Sequence, residues 1–499
     1  MTGPDAGGLS GAGNIGSPDA AGSSPGRMVV VLGAGVGGLA AALELARAGL
    51  RPLVLEAGTV AGGVVTAHTV GGLELDAGAE SFSVARPATA ALIDELGLAE
   101  RVVPPSPVGA WVRHAAGAAP LPALAFLGIP GHPWAADVRR IIGLPGAVRA
   151  TADRVLPVRG PDRSLGSLVR ARMGRRVLDR LVEPVAGGVY AAAPDTLDIG
   201  TVAPGLPAAL RRGRSLAAAA RELRGAGGRP GSAVASLAGG LHTLVPALVG
   251  AVTAAGGTVR TGIRVSRLAG DDGWRIETAA GSLHAARVVL ALPAPDCARL
   301  LASAWPDVPT SVLDQPVSPV ALVTLVLDDA RLDPAPRGTG ILVSAKARGP
   351  RAKALTHATA KWRWLARAAG PGRHVLRLSY GRGADGEPPD DSDLPGIALA
   401  DASDLLGLAL TAHSVVDCAV VRWSAALPVP RPGHAESVTA LRDAADRRGL
   451  TIVGAAMAGT GLGAVIVDAR AQARALAGVV SSTPAPGLTP SWGERGWTA

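Results

Sequence analysis

The run Met28-Val29-Val30-Val31-Leu32-Gly33-Ala34-Gly35-Val36-Gly37-Gly38-Leu39 decides the fold. Its first five residues are continuously apolar, as expected of a parallel strand covered on both faces. The glycines Gly33, Gly35, Gly37 and Gly38 make a turn, Val36 to Ala48 reads as a helix closed by Gly49, and Pro52 to Glu56 reads as a second strand. In such a strand–turn–helix–strand unit Gly33 permits the tight bend, Gly35 lets backbone approach a pyrophosphate, and Gly38 lets the helix pack on the strand. Ala34 and Val36 offer backbone groups in the same turn, and the pyrophosphate sits at the positive helix end. Glu56 lies eighteen residues beyond Gly38, just before Ala57, where a carboxylate can accept hydrogen bonds from ribose hydroxyls. In a chain with 67 glycines a lone glycine motif is weak. Strand, turn, helix, strand and acid in order give it weight.

A second doublet, Gly62-Gly63, follows with Val64, then a hairpin pattern from Val64 to Asp76 turning at Gly71-Gly72, then Gly78-Ala79-Glu80-Ser81. Arg-rich helical patterns broken by Pro and Gly, including Val177 to Val185, fill 101–205, read as a helical insertion, with a linker and substrate-domain stretch at 206–230. Dinucleotide-domain character returns at 231–296: helix Leu241 to Ala255, strands Thr258 to Thr261, Val265 to Leu268, Trp274 to Thr278 and Val288 to Leu292. Strand patterns such as Ala321 to Leu327 and His374 to Ser379 place a second sheet in 297–447. Strand Thr451 to Gly454, a glycine-rich turn and helix Val467 to Leu476 close the first domain at 448–478. The expected class is α/β, a Rossmann-like domain assembled from 28–100, 231–296 and 448–478, with a mixed-sheet substrate domain and a helical insertion. Residues 1–27 and 479–499, rich in Gly, Ser and Pro, are expected to be disordered, with Met28 as the functional start.

Composition narrows the partners. The net charge is +9, and 46 of the 49 basic residues are arginines, spread without a nucleic-acid motif, so nucleic-acid binding is not expected. No uninterrupted apolar run reaches spanning length. Arg139, Arg140, Arg170, Arg172, Arg175 and Arg176 leave two readings of the insertion, a soluble helical face or peripheral contact with anionic lipid. Cys297 and Cys418 have neither metal-ligand nor disulfide spacing, no metal is expected, and without a secretory signal the chain reads as cytoplasmic. With two Phe and two Tyr beside nine Trp, aromatic contacts at a site fall to Trp.

The doublet after the ribose acid, followed by Gly72-Leu73-Glu74-Leu75-Asp76-Ala77-Gly78-Ala79-Glu80, resembles the flavoprotein family that includes monoamine oxidases, phytoene desaturases and protoporphyrinogen oxidases. The resemblance implies FAD, touched by Gly33 to Gly38, Glu56, Ala57, Gly62, Gly63, Val64, Gly78, Ala79, Glu80 and Ser81. The family usually frames its doublet with arginines, where this chain has Val60 and Val64. Ser236-Leu237-Ala238-Gly239-Gly240-Leu241 is similar to the family's helix start, and Val265 to the valine whose backbone meets adenine. Gly454 to Gly463 is similar to the returning FAD turn, implicating Ala455, Thr460, Gly461 and Leu462; relatives follow it with Ser-Gly, this chain with Asp468-Ala469.

Glu183-Pro184-Val185-Ala186-Gly187-Gly188-Val189-Tyr190 resembles the signature of bacterial protoporphyrinogen and coproporphyrinogen III oxidases. That branch implies six-electron oxidation of a porphyrinogen by FAD with oxygen as acceptor, in haem biosynthesis. Aromaticity gained by the macrocycle drives it, so no catalytic side chain is assigned. Arg86 and Lys361 are candidates for substrate propionates and Trp362 for stacking on a pyrrole. After Pro428, where relatives often carry Gln-Tyr, this chain has Val429-Pro430, and His434 stands in a family-like Gly-His pair. Two alternatives stay open: an amine oxidase or desaturase on the same scaffold, and a drifted flavoprotein that binds FAD without porphyrinogen turnover.

Overall fold

The computed structural model describes residues 28–84, 87–157, 164–224, 234–271, 273–314, 317–382, 386–429 and 431–482. The expected tail 1–27 and Arg86 lie outside the described residues. β1 (Val29–Leu32) is fully buried, α1 (Val36–Arg47) follows the glycine turn, and β2 (Leu53–Leu55) returns beside β1. A five-stranded, wholly parallel sheet runs Thr258–Arg260, β2, β1, Arg287–Leu290, Leu450–Ile452. It thus draws strands from three distant stretches of chain.

Both faces of the central strands are covered, which is why β1, β2 and Val288 to Leu290 read as unbroken apolar runs. Val29, Val31, Val54 and Val289 pack against α1 and the helices Leu244–Ala254 and Leu462–Ser482. Val30, Leu32, Leu55, Val288 and Leu290 pack instead against the antiparallel strands Val265–Asp271 and Gly273–Thr278 and the helices Ala294–Ala304 and His434–Asp446. The last helix is longer than expected and runs to Ser482, into the stretch read as a tail. Ile466, Ala469, Ala473, Leu476, Ala477 and Val480 continue one buried stripe at helical spacing, so burial holds the helix beyond Leu476.

The second sheet has seven strands in the order Val415–Pro428, Val317–Asp328, Arg373–Tyr380, Ala354–His357, Gly340–Val343, Trp111–His114, Gly117–Pro120. Only the Gly340–Val343 and Trp111–His114 pair is parallel. The last two strands correct the helical expectation for 101–205, whose first thirty residues form short strands and turns. Val112 and His114 are buried while Trp111 and Arg113 are half-buried, a period of two that complements a partner strand more than two hundred residues away. Helices begin at Ala136 and continue past 205 through Leu206–Gly213 and Leu216–Arg224, all in one core, so 206–224 is part of the helical unit and not a linker.

That unit is tied by Arg172 and Asp153. Arg172 Nε donates to Asp153 Oδ1 at 2.5 Å and its terminal nitrogen to the Asp153 and Arg214 carbonyls at 2.7 and 3.1 Å, while Asp153 Oδ2 accepts Ala217 N at 3.0 Å. Both side chains are buried. On the outside, helix Ala136–Thr151 exposes Leu144 and Val148 beside Arg139 and Arg140, with Trp134 exposed just before it. Among the described residues no helix is long and apolar enough to cross a membrane.

Removing one partner of a buried ion pair strands the other charge. Asp153→Asn is expected to lower unfolding free energy by about 3–5 kcal/mol, and Asp153→Leu with Arg172→Met to recover much of that loss. Urea denaturation checks this; a single variant within about 0.5 kcal/mol of the parent would show that the pair does not tie the bundle.

Candidate functional site

Three glycine turns meet at the C-terminal edge of the parallel sheet. In the first, Gly33 has φ +99° and a Cβ on Gly38 would lie 2.0 Å from the Gly33 carbonyl oxygen, so neither position accepts a side chain. In the second, Gly62 N donates to Ala34 O at 2.8 Å, and a Cβ on Gly63 would stand 3.4 Å from Gly35 Cα. In the third, Gly454 and Val465 bear on Gly37, whose Cβ would come within 2.9 Å of the valine side chain. Ala455 begins the short helix Ala455–Ala458, and Gly459, Thr460 and Gly461 lead into Leu462, the first residue of the last helix.

The edge these turns leave suits a dinucleotide. A Cβ on Gly35 or Gly461 would meet nothing within 4 Å, and α1 begins with no side-chain cap and no acid in its first turn, which favours an anion there. Glu56 directly follows β2, its oxygens accepting Ala34 N at 2.8 Å and Gly58 N at 2.7 Å, so the carboxylate stands over the first turn with lone pairs to spare. Ala57 follows it in the loop. Ile263 N donates to Glu56 O at 2.8 Å, which brings the chain leading to Val265 alongside. Val265 is buried, with its carbonyl 3.5 Å from Arg299. Val60 and Val64, at the two positions where the family resemblance implies arginines, are 63% and 42% exposed. Asp468, where relatives carry serine, holds Arg442 with both oxygens at 2.7 Å, while Ala469 is fully buried.

Beyond the doublet, Ala79 N donates to Val64 O at 2.8 Å, and a Cβ on Gly78 would lie 2.1 Å from that oxygen, so this position must be glycine. Glu80 then joins the first domain to the second sheet. Its Oε1 accepts Lys361 Nζ at 2.6 Å and its Oε2 accepts Arg377 at 2.8 Å, while Arg377 also donates to Gly78 O at 2.7 Å. Burial pushes the Glu80 carboxyl up, but the two cations and their hydrogen bonds outweigh it and hold the group down at about 2. Ser236 Oγ donates to the Glu80 carbonyl at 2.7 Å; Ser81, next in the chain, is half-buried. Lys361, expected to face substrate, is therefore engaged by Glu80. Trp362, expected to stack on substrate, is 3% exposed and packs with Val70, Leu75, Val326 and Leu365.

The sheet register shows a different aromatic residue. One face of the second sheet, with Val323, Leu325, Leu355 and Leu378, is closed by helix Leu394–Leu406. The other carries Leu322, Leu342, Ala354, Thr356 and Ser379, all half-buried, around buried Thr324 and Arg377. Trp423 lies on this open face opposite Val320, half-buried, its Nε1 donating to Ala77 O at 3.2 Å and its ring 3.1 Å from the Cβ position of Gly78. Only the long-range register reveals it. Helix Glu183–Tyr190, preceded by the π-helical turn Leu178–Val182, covers the same face at Leu342, which a Cβ on Gly188 would meet at 2.7 Å. Nearby, Thr201 approaches Gly459 of the third turn, whose Cβ would lie 3.5 Å away. His434, in the Gly-His pair, is 4% exposed at the start of helix His434–Asp446. Burial lowers its pKa, against the opposing influence of the Met457 backbone and Asp198.

Because the Glu80 carboxyl is depressed on folding, its stabilisation is complete above the unfolded pKa of about 4.3 and is lost as pH falls toward 2. Glu80→Gln should flatten the stability curve between about pH 2 and 4.5; chemical denaturation across that range, with the variant retaining the parent's slope, would refute the linkage.

Residues 36–480 match the family described as flavin containing amine oxidoreductase. A coproporphyrinogen III oxidase of Mycobacterium tuberculosis is 31% identical over 467 residues, covering 92% of this chain and 98% of the relative. One from Mycobacterium leprae is 32% identical over 462 residues, covering 90% and 98%. Among solved structures, an Exiguobacterium protein described as a protoporphyrinogen oxidase superposes with a TM-score of 0.79 at 26% identity, covering 90% of this chain and 98% of its own. A putrescine oxidase, at TM-score 0.63 and 16% identity, shares the fold. The glycine turns, the acid after β2 and the length of these matches lead to one conclusion: the chain belongs to the flavin containing amine oxidoreductase family, and its flavin is FAD.

Proposed function

We propose that this chain oxidises a porphyrinogen, coproporphyrinogen III ahead of protoporphyrinogen IX, to the corresponding porphyrin, with FAD as cofactor and molecular oxygen as acceptor. One observation carries the reading. Helix Glu183–Tyr190 lies across the open face of the second sheet, on which Trp423 and Arg377 reach the Gly78 segment beside the glycine turns. A half-buried face of mixed polarity with one indole, bordered by the Arg377 and Lys361 cations that Glu80 holds, suits a flat macrocycle bearing carboxylates. The names of the mycobacterial relatives support the coproporphyrinogen preference.

In this reading Gly33 to Gly38 and the start of α1 hold the diphosphate and Glu56 the ribose, while Ala57 lies beside it. Gly62, Gly63, Val64, Ala455, Thr460, Gly461 and Leu462 line the remainder of the cofactor, and the backbone of Val265 meets adenine. Bound FAD supplies a two-electron oxidant, used three times per macrocycle. The chain's own work is orientation and exclusion of water. Trp423 offers an aromatic face anchored through its N–H, and the ionised Glu80, fixed by Lys361 and Arg377, holds Gly78, Ala79 and Ser81 in place. Aromaticity gained by the product drives the chemistry, and no side chain need act as a strong acid or base. Amine oxidation is less well served, because Phe82 and Tyr380 are core residues and Phe126 and Tyr190 pack against the helical core, leaving none to pair with Trp423.

Purified protein is expected to show flavin absorbance, and to turn both porphyrinogens into fluorescent porphyrin with oxygen uptake, coproporphyrinogen III the faster. Flavin without porphyrin formation from either would sink the oxidase reading in favour of a drifted flavoprotein. Trp423→Ala should lower kcat/KM roughly tenfold, about 1.4 kcal/mol, at unchanged FAD content. Steady-state kinetics beside flavin absorbance checks it, and a variant with parental kcat/KM removes Trp423 from the cavity.

A further inference from the structure

Where helix Glu183–Tyr190 crosses the end of strand Gly340–Val343, Arg382 meets Glu183, and the buried Lys353 feels the Arg382 charge; the proposed reaction uses none of the three. Arg382 donates to Val343 O at 2.8 Å and to Ala352 O at 3.4 Å. Val343 N donates to Lys353 O at 2.9 Å, so the guanidinium rests on two carbonyls that bracket the lysine backbone. Its other terminal nitrogen is 3.5 Å from Glu183 Oε1, a loose contact, because the Glu183 oxygens accept Ala345 N at 3.1 and 3.0 Å. Lys353 is 2% exposed, and its Nζ has no hydrogen-bond partner. Burial, with the Arg382 charge adding to it, lowers the lysine to about 7.

Among the described residues this corner sets the Arg382 guanidinium and the Lys353 amine beside one carboxylate already satisfied by backbone. A buried ammonium without a partner is costly, and an arginine fork has donors to spare. Arg382 is also reachable. Its side chain is 26% exposed, and the position facing it on the helix is Gly187, whose Cβ would lie 3.5 Å from both the guanidinium and Glu183 Oε1. No side chain at that position covers it.

We infer that Arg382 is a carboxylate subsite at the margin of the open sheet face, beside helix Glu183–Tyr190, and takes a propionate of the porphyrinogen. This rests on the porphyrinogen reading and deepens it: a ligand carboxylate binds the fork that Glu183 contacts only loosely. Lys353, when protonated, adds a second positive charge that bears on Arg382. A substrate with four propionates has more ways to fill the subsite than one with two.

The test uses the FAD-loaded protein, titrated with coproporphyrin III and followed by tryptophan quenching. Arg382→Met and Lys353→Met should each weaken binding about ten- to hundredfold at unchanged flavin absorbance, with Arg382→Lys recovering part. Glu183→Gln should tighten binding severalfold by removing the competing carboxylate, a change of opposite sign that damaged folding does not produce. Parental affinity in both Arg382→Met and Glu183→Gln would overturn the subsite while leaving the oxidase reading intact. A parent chain that neither binds coproporphyrin III nor oxidises any porphyrinogen would overturn both.

Discussion

The close approach of backbone to backbone among the three glycine turns is the constraint on which the remaining structure depends. Gly62 N reaches Ala34 O at 2.8 Å, and side chains on Gly38 or Gly37 would strike Gly33 or Val465 at 2.0 and 2.9 Å. Each such contact is a place where one methyl group would push two distant stretches of chain apart. Because they hold, Glu56, the start of α1 and the start of the last helix share one edge of the parallel sheet. That edge gives the first domain its capacity for a dinucleotide.

A carboxylate does the corresponding work between the domains. Glu80 joins the turn that follows the hairpin to Lys361 and Arg377, 281 and 297 residues further along. Asp76, a few residues earlier, accepts Leu241 N and His242 N at 3.1 and 2.8 Å and the His242 ring at 2.8 Å, tying the same stretch to the helix start after Gly240. Short, charge-assisted hydrogen bonds of this kind have a narrow geometric tolerance. They fix the open face of the second sheet over Gly78 more closely than apolar packing would.

The first domain was legible because its signals are local. Continuous apolar strands, glycines at turn spacing and an acid at the end of β2 need no knowledge of distant partners. The helical unit was only half legible. Trp111 to Pro120 is rich in Pro, Gly and Arg nearby, and its strands exist because Gly340–Val343 offers an edge. The same limit separates Trp362 from Trp423. Trp362 packs at the Val326 and Val375 end of the sheet face on which Trp423 stays half-buried, and only the long-range register shows which ring is covered. Lys361 was marked by its position, while its partner Glu80 could not be read from spacing. Arg382 carried no local signal, and only the bracketing carbonyls of Val343 and Ala352 draw attention to it.

The parallel sheet has one more consequence, which concerns the order of events during synthesis. β1 lies at the centre of its sheet, yet the neighbour Arg287–Leu290 and the edge strand Leu450–Ile452 come from the later chain. The amino-terminal third therefore leaves the ribosome with one flank of β1 unpaired, exposing backbone groups that invite wrong partners. Closure waits for the last helix, which packs on α1. Cofactor capture consequently waits for the stretch from Leu450 to the last helix, and a chain truncated before Leu450 lacks the third turn as well as the strand that brings it into position.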